Sequence, residues 1–261
     1  MTAAVILGGV RWIARVCEWL VPFMVIGYLL GCTLILIKNF SALGQSITLI
    51  FQGAFSGHQA IAGGFAGAMI KEVVRAGIAR GLFSNESGLG SAPIVAAAAK
   101  TPNPVRQALV SASGTFWDTV VICAFTGLVI VSSGHWAEGI GKAALTHAAF
   151  ADLSTIGPIV LAFGLATFVF STILGWSYYG EKAIEYLFGL KAVLPYRLAW
   201  VAAVVVGSVL PIQMVWDFSD VANGLMAIPN LISLIVLSGV IAAETKVHRG
   251  ELTGEADHEG R

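Results

Sequence analysis
The chain has 261 residues, 57% of them hydrophobic and only 11% charged, with 15 basic and 15 acidic side chains. Soluble domains carry about a quarter charged residues, so this composition excludes an ordinary water-soluble globule and makes the lipid bilayer the solvent. A formal net charge of zero gives no footprint for a nucleic-acid partner, and Cys17, Cys32 and Cys123 lack CxxC spacing and read as free thiols.

The first ten residues, MTAAVILGGV, are apolar but too short to cross a bilayer. Arg11 and Arg15 follow this segment, whereas a signal peptide carries its positive charge ahead of the apolar core. Residues 1–10 are therefore expected to be the remnant of a preceding transmembrane helix, which makes the chain a fragment. Six apolar runs come next: Trp19–Ile37, Ile47–Ile70, Ala108–Val131, Ile156–Trp176, Leu198–Trp216 and Val221–Ala243. Each approaches the roughly 20 residues a spanning helix needs, and each is too uniformly apolar for a barrel strand of period two. The expected fold class is an all-α integral membrane protein. A six-helix domain covers residues 11–243, and a polar tail covers residues 244–261.

The second run reads ITLIFQGAFSGHQAIAGGFAGAMI. Gln52, Ser56, His58 and Gln59 stand among five glycines, and glycine weakens a helix by roughly 1 kcal/mol relative to Ala. Such a centre suits a discontinuous helix whose freed backbone faces a midplane cavity. It also suits an intact helix that packs closely through Gly53-x-x-x-Gly57 and Gly63-x-x-x-Gly67. The polar connection ARGLFSNESGLGSAP, residues 79–93, follows. No Lys-Ser or Lys-Thr follows its glycines, so it is not a phosphate loop. Its glycines permit tight turns, and Asn85 and Glu86 are expected to bond exposed helix ends.

In the third run Asp118 is the only acid deep in an apolar stretch. A charge at the bilayer centre costs about 2.5–3.5 kcal/mol on insertion scales, so it faces protein. Helical spacing groups Ser111, Thr115, Asp118, Thr119 and Thr126 in one polar stripe, which either lines a pathway or bonds a neighbouring helix. The fourth run places Thr167, Ser171, Thr172, Gly175, Trp176 and Tyr179 on one face. The adjacent hydroxyls of Ser171 and Thr172 suit a small hard cation, which takes oxygen ligands. They equally suit bonds to their own helix carbonyls. Trp176 stands one turn beyond, where it can cover a small substrate or sit at the membrane interface.

With six spans the connections alternate sides. One side then takes thirteen of the fifteen Lys and Arg residues, and the other takes only Lys38 and Lys142. The positive-inside rule puts the rich side, with both termini, in the cytoplasm.

RGLFSNESGLGSAP at 80–93, PVRQALVSASGTFWDT at 104–119, STILGWSYYGEK at 171–182 and LMAIPNLISL at 225–234 resemble, in order and spacing, the alanine/glycine:cation symporter family, the sodium:alanine symporters. The resemblance implies a leucine-transporter-type inverted-repeat fold with two five-helix halves, of which this chain would be the C-terminal half. It makes the second run the unwound sixth core helix. It implies a sodium site at the Phe168 carbonyl, Ser171 and Thr172. It also implies a substrate face of Thr172 and Trp176, with Phe55, Gln59, Gly63, Gly64 and Phe65 opposite. The GTGN-type and GGPGAFWMW-type motifs of the family's first two core helices do not occur here. A separate N-terminal half is therefore the expected partner, beside the lipid bilayer and a small neutral amino acid. The implied function is sodium-coupled symport of alanine or glycine across the plasma (inner) membrane, with sodium as coupling ion and no other cofactor. The alternative is an inactive remnant or regulatory half-transporter. An intramembrane enzyme is disfavoured, since neither HExxH nor a Ser/His dyad at helical spacing occurs.

Overall fold
The computed structural model describes residues 1–56, 66–139, 142–153 and 156–253. Every element among them is helical, as a bilayer requires of segments that must satisfy their own backbone hydrogen bonds. In chain order the α-helices are α1 (Thr2–Leu7), α2 (Val10–Lys38), α3 (Phe40–Ser56), α4 (Ala66–Asn85), α5 (Ala92–Ala96), α6 (Pro104–Thr115), α7 (Ala124–Ser133), α8 (Lys142–Ala151), α9 (Ile156–Phe188), α10 (Val193–Val209) and α11 (Ile212–Thr253). A π-helical segment, Phe116–Cys123, joins α6 to α7 without a break.

Five helical stretches are long and apolar enough to cross a membrane: Val10–Lys38, Pro104–Ser133, Ile156–Phe188, Leu190–Val209 and Ile212–His248. Leu225, Ile235 and Val236 on α11 and Val209 on α10 stand exposed. Exposed apolar area costs about 25 cal/mol per Å² in water, a cost that lipid contact removes. The expected span 47–70 runs across residues 57–65. Its proposed break, with Gln59, Gly63, Gly64 and Phe65, lies outside the described residues, while Phe55 falls within α3. Two other expected boundaries need correction. The run Leu198–Trp216 is not one helix: α10 ends at Val209, and α11 begins at Ile212 with Trp216 in its second turn. Pro211 has no N–H to continue a helix and disfavours the α conformation at Leu210. The run ending at Trp176 continues to Phe188, because Tyr178 and Glu181 are buried there instead of opening a loop.

The chain divides into two compact units, Met1–Arg75 with Val121–Val205, and Ala76–Val120 with Val206–Arg261. In the first, α2 lies along α9. A Cβ on Gly31 would come within 2.6 Å of Val160 Cγ1, so only glycine allows this approach. The core joins Tyr28, Cys32 and Ile35 of α2 to Val129, Ala149, Phe150 and Leu161. Thr126 donates to the Ile122 carbonyl at 2.8 Å, so the Tyr28 hydroxyl, also 2.8 Å away, donates to Thr126. Ile6 of α1 is fully buried and packs with Ile13 and Leu174. Farther along α9, buried Glu181 takes two 2.8 Å bonds from Arg197 of α10.

In the second unit α6 packs on α11. Asn103 caps α6, accepting from Val105 N at 2.9 Å and Arg106 N at 3.0 Å, with Pro104 in the first turn. The Arg80 guanidinium lies 4.2 Å over the Trp216 ring and bonds Asp220 at 2.9 Å, which anchors the end of α4 on α11.

Candidate functional site
Two groups of sequence-predicted residues are described, one in each unit. In the first unit, Phe168, Ser171, Thr172 and Trp176 occupy successive turns of α9. Ser171 Oγ donates to the Phe168 carbonyl at 3.0 Å and also lies 3.6 Å from Met24 Sδ. Two of the three expected sodium ligands are thus already adjacent, and the Phe168 carbonyl, inside α9, accepts both the Ser171 hydroxyl and the amide one turn on. Thr172 is exposed. The Trp176 ring meets Tyr179 edge-on, with centroids 5.6 Å apart. Thr167, on the same expected face, donates at 2.9 Å to both the Phe163 and Gly164 carbonyls, the helix-internal bonding open to any hydroxyl here. Chemically this face offers two hydroxyl oxygens and one carbonyl oxygen within two turns, with aromatic rings beside them. It has no carboxylate, so it suits a monovalent cation better than a divalent one.

In the second unit the predicted stripe residues Thr115, Asp118 and Thr119 gather at the end of α4. Ser84 Oγ donates to Asp118 Oδ2 at 2.6 Å, Thr119 Oγ1 donates to the same oxygen at 3.3 Å, and Asn85 Nδ2 donates to Thr119 Oγ1 at 3.2 Å. Of the two roles left open for the stripe, bonding to another helix describes Asp118 and Thr119, while Thr115 lines a cavity beside them. Thr126 instead serves Tyr28 in the first unit, since the π-helical turns between them change the α register.

The connection after α4 is a bonded turn. Asn85 Oδ1 accepts from Ser87 N at 2.9 Å, so Asn85 does satisfy backbone just past its helix. Glu86 reaches the start of α5, whose N-cap residue is Ser91. It adopts φ +55, left-handed for a residue with a Cβ, and Oε2 accepts from the buried Ser91 hydroxyl at 2.8 Å. Gly88 and Gly90 take φ +80 and +85, and a Cβ on Gly90 would lie 3.2 Å from Asn230 of α11. A cavity of ≈ 440 Å³ opens beside this turn, lined among others by Asn85, Glu86, Thr115 and Asn230. Sequence reasoning missed Ser84, Ser91 and Asn230. The hydroxyls carry no periodic signal, and Asn230 is distant in sequence, although it sits in the quoted stretch LMAIPNLISL. Among the described residues no group of three or more His, Cys, Asp or Glu side chains could hold a metal ion.

The model of the sodium:alanine symporter family matches residues 1–259. The chain is 47% identical over 249 residues to the sodium/alanine symporter AgcS of Methanococcus maripaludis, covering 94% of this chain and 54% of that protein. It is 36% identical to the amino-acid carrier protein AlsT of Bacillus subtilis, over 92% of this chain and 51% of AlsT. It is 38% identical to the probable sodium/glutamine symporter GlnT of the same organism, over 93% and 50%. The chain thus spans about half the length of these relatives. The family match runs along essentially the whole chain, and it does not itself assign the chain to a C-terminal half or call for a separate N-terminal partner.

Proposed function
The chain belongs to the sodium:alanine symporter family, and on that premise we propose that it takes part in sodium-coupled symport of a small neutral amino acid, alanine or glycine. It is a multi-pass membrane protein, and the relatives are transporters, not enzymes. The observation that carries the reading is the oxygen-bearing face of α9. There the Phe168 carbonyl, Ser171 hydroxyl and exposed Thr172 hydroxyl are stacked within two turns, one turn before Trp176.

In this reading sodium binds those three oxygens, and the substrate lies against Thr172 and Trp176. Phe55, Gln59, Gly63, Gly64 and Phe65 line the other side, on a helix broken at the midplane of a leucine-transporter-type inverted repeat. Helix ends capture the substrate carboxylate and ammonium, and one bundle rocks against the other to alternate access. The membrane is the plasma (inner) membrane, with both termini cytoplasmic. The test is alanine and glycine uptake by proteoliposomes under an inward sodium gradient. Saturable uptake that collapses when sodium is replaced by potassium supports the reading. Uptake driven equally without sodium, or none of either amino acid, overturns it.

A further inference from the structure
The first unit contains a cavity apart from the α9 face. This cavity, of ≈ 470 Å³, is lined by Gly8, Gly9, Arg11, Trp12, Arg15 and Arg197, with Val10. We propose that this cavity binds a phosphate group, supplied by the headgroup of an anionic phospholipid in the surrounding membrane.

Three arginines line one cavity, and no carboxylate lines it. Glu181, the nearest acid to Arg197, is engaged by the Arg197 Nε and Nη2. That pair fixes the guanidinium plane, and Nη1 takes no part in it. Arg11 and Arg15 are exposed and four residues apart on α2, a mildly unfavourable like-charge spacing that an anion between the two relieves. Guanidinium forks match phosphate oxygens in geometry as well as charge. Gly9 contributes by lacking a side chain: at φ +80 a Cβ there would lie 3.1 Å from Arg197 Nη2. Any larger residue would press on the guanidinium that forms the cavity wall. The first turn of α2 adds N–H groups that no side chain caps.

The source of the phosphate follows from where the cavity lies. α2 is a candidate span that starts at Val10, so the cavity stands at the end of a membrane helix, at headgroup depth. Trp12 and Trp19 are exposed on the same end of α2, where tryptophan anchors at the lipid–water boundary.

The test uses the full 261-residue chain in detergent. Bound lipid is read by native mass spectrometry, and the thermal midpoint by intrinsic fluorescence. Phosphatidylglycerol, phosphatidylcholine and inorganic phosphate are supplied separately. Phosphatidylglycerol is expected to stay bound and raise the midpoint, with phosphatidylcholine weaker. The double variant Arg11→Gln/Arg15→Gln should lose about tenfold or more in phosphatidylglycerol retention. Arg11→Lys/Arg15→Lys should keep part of it, and Lys246→Gln, outside the cavity, all of it. Because both arginines are exposed, the variants should keep the parent's lipid-free midpoint, and the Lys pair controls for any that do not. A midpoint raised by inorganic phosphate in the parent and not in the Gln pair, without lipid retention, supports the phosphate site and overturns its lipid source. Equal retention of both lipids, or retention unaffected by the Gln pair, overturns the proposal.

Discussion

Glu86 Oε2 accepts a 2.8 Å hydrogen bond from the Ser91 hydroxyl, and Ser91 is fully buried. This bond explains why a glutamate occupies a left-handed backbone position, φ +55, where glycine is the ordinary choice. The left-handed conformation costs a non-glycine residue about 1–2 kcal/mol. A hydrogen bond to a charged acceptor contributes about 1.5–3 kcal/mol. Ser91→Ala keeps the strain and loses the bond, so it should destabilise the protein by about 1–3 kcal/mol. Glu86→Gly loses both, and the two effects largely cancel. Thermal unfolding in detergent should rank Ser91→Ala below Glu86→Gly. The reverse order would mean that the bond does not hold the turn.

The Tyr28–Thr126 bond joins α2 to α7 within an otherwise apolar core. Interhelical hydrogen bonds in membrane proteins contribute about 0.6 kcal/mol on average and up to about 1.7. Thr126→Val preserves shape and removes the acceptor, so it should cost an amount in that range, and Tyr28→Phe a similar amount. The double variant should cost clearly less than the sum, which a double-mutant cycle measures. Additive losses would show that the two side chains act independently.

His135 sits in the turn after α7, with Nδ1 2.9 Å from Glu138 and Nε2 3.3 Å from Asp152, whose backbone carbonyl accepts from Lys38. Hydrogen bonds to Glu138 and then Asp152 raise its pKa above the usual 6.5. A raised folded pKa means the imidazolium favours the folded state. Its contribution is complete below about pH 6.5 and disappears as pH rises through the higher folded value. The midpoint of the parent should therefore fall across that window relative to His135→Gln. Parallel pH profiles for the two proteins would remove His135 as the cause.

Much of this architecture is legible in residue chemistry, and what is not has identifiable reasons. Long apolar runs mark α2, α6–α7 and α9 because lipid leaves the backbone no alternative to helix. One proline, Pro211, decides where α10 ends and α11 begins, but hydropathy runs straight through LPIQMVW and hides it. The stripe from Ser111 to Thr126 assumes 3.6 residues per turn. The π-helical Phe116–Cys123 segment breaks that periodicity, so Asp118 and Thr126 find different partners. The spacing of three and four puts Thr167, Ser171, Thr172 and Trp176 along one side of α9, whereas the Ser171 bond to Phe168 depends on a rotamer that no sequence specifies.

Orientation is testable at Val247, near the end of α11 and well exposed. Thirteen of the fifteen basic residues fall on the side assigned to the cytoplasm. In a background with Cys17, Cys32 and Cys123 replaced by Ser, Val247→Cys should resist an impermeant maleimide in intact cells and react after permeabilisation. Labelling in intact cells would reverse the orientation.

The last prediction concerns the α9 oxygens. In this structure Ser171 donates to the Phe168 carbonyl at 3.0 Å. A sodium ion accepts only lone pairs, so when it takes that carbonyl the Ser171 hydroxyl must turn its proton away. Thr172 is exposed, so its loss should affect cation binding more than folding. Thr172→Ala should raise the sodium concentration for half-maximal uptake by about tenfold, the equivalent of roughly 1.4 kcal/mol from one lost oxygen ligand. Thr172→Ser should retain near-parent sodium dependence, because it keeps the oxygen and drops only a methyl. Ser171→Ala should also raise the sodium requirement, while freeing the Phe168 carbonyl from competition limits the loss. The readout is the sodium dependence of alanine uptake at fixed alanine, with unfolding midpoints measured alongside. A Thr172→Ala protein with unchanged sodium dependence and unchanged alanine affinity would leave the α9 hydroxyls with a purely helix-internal role.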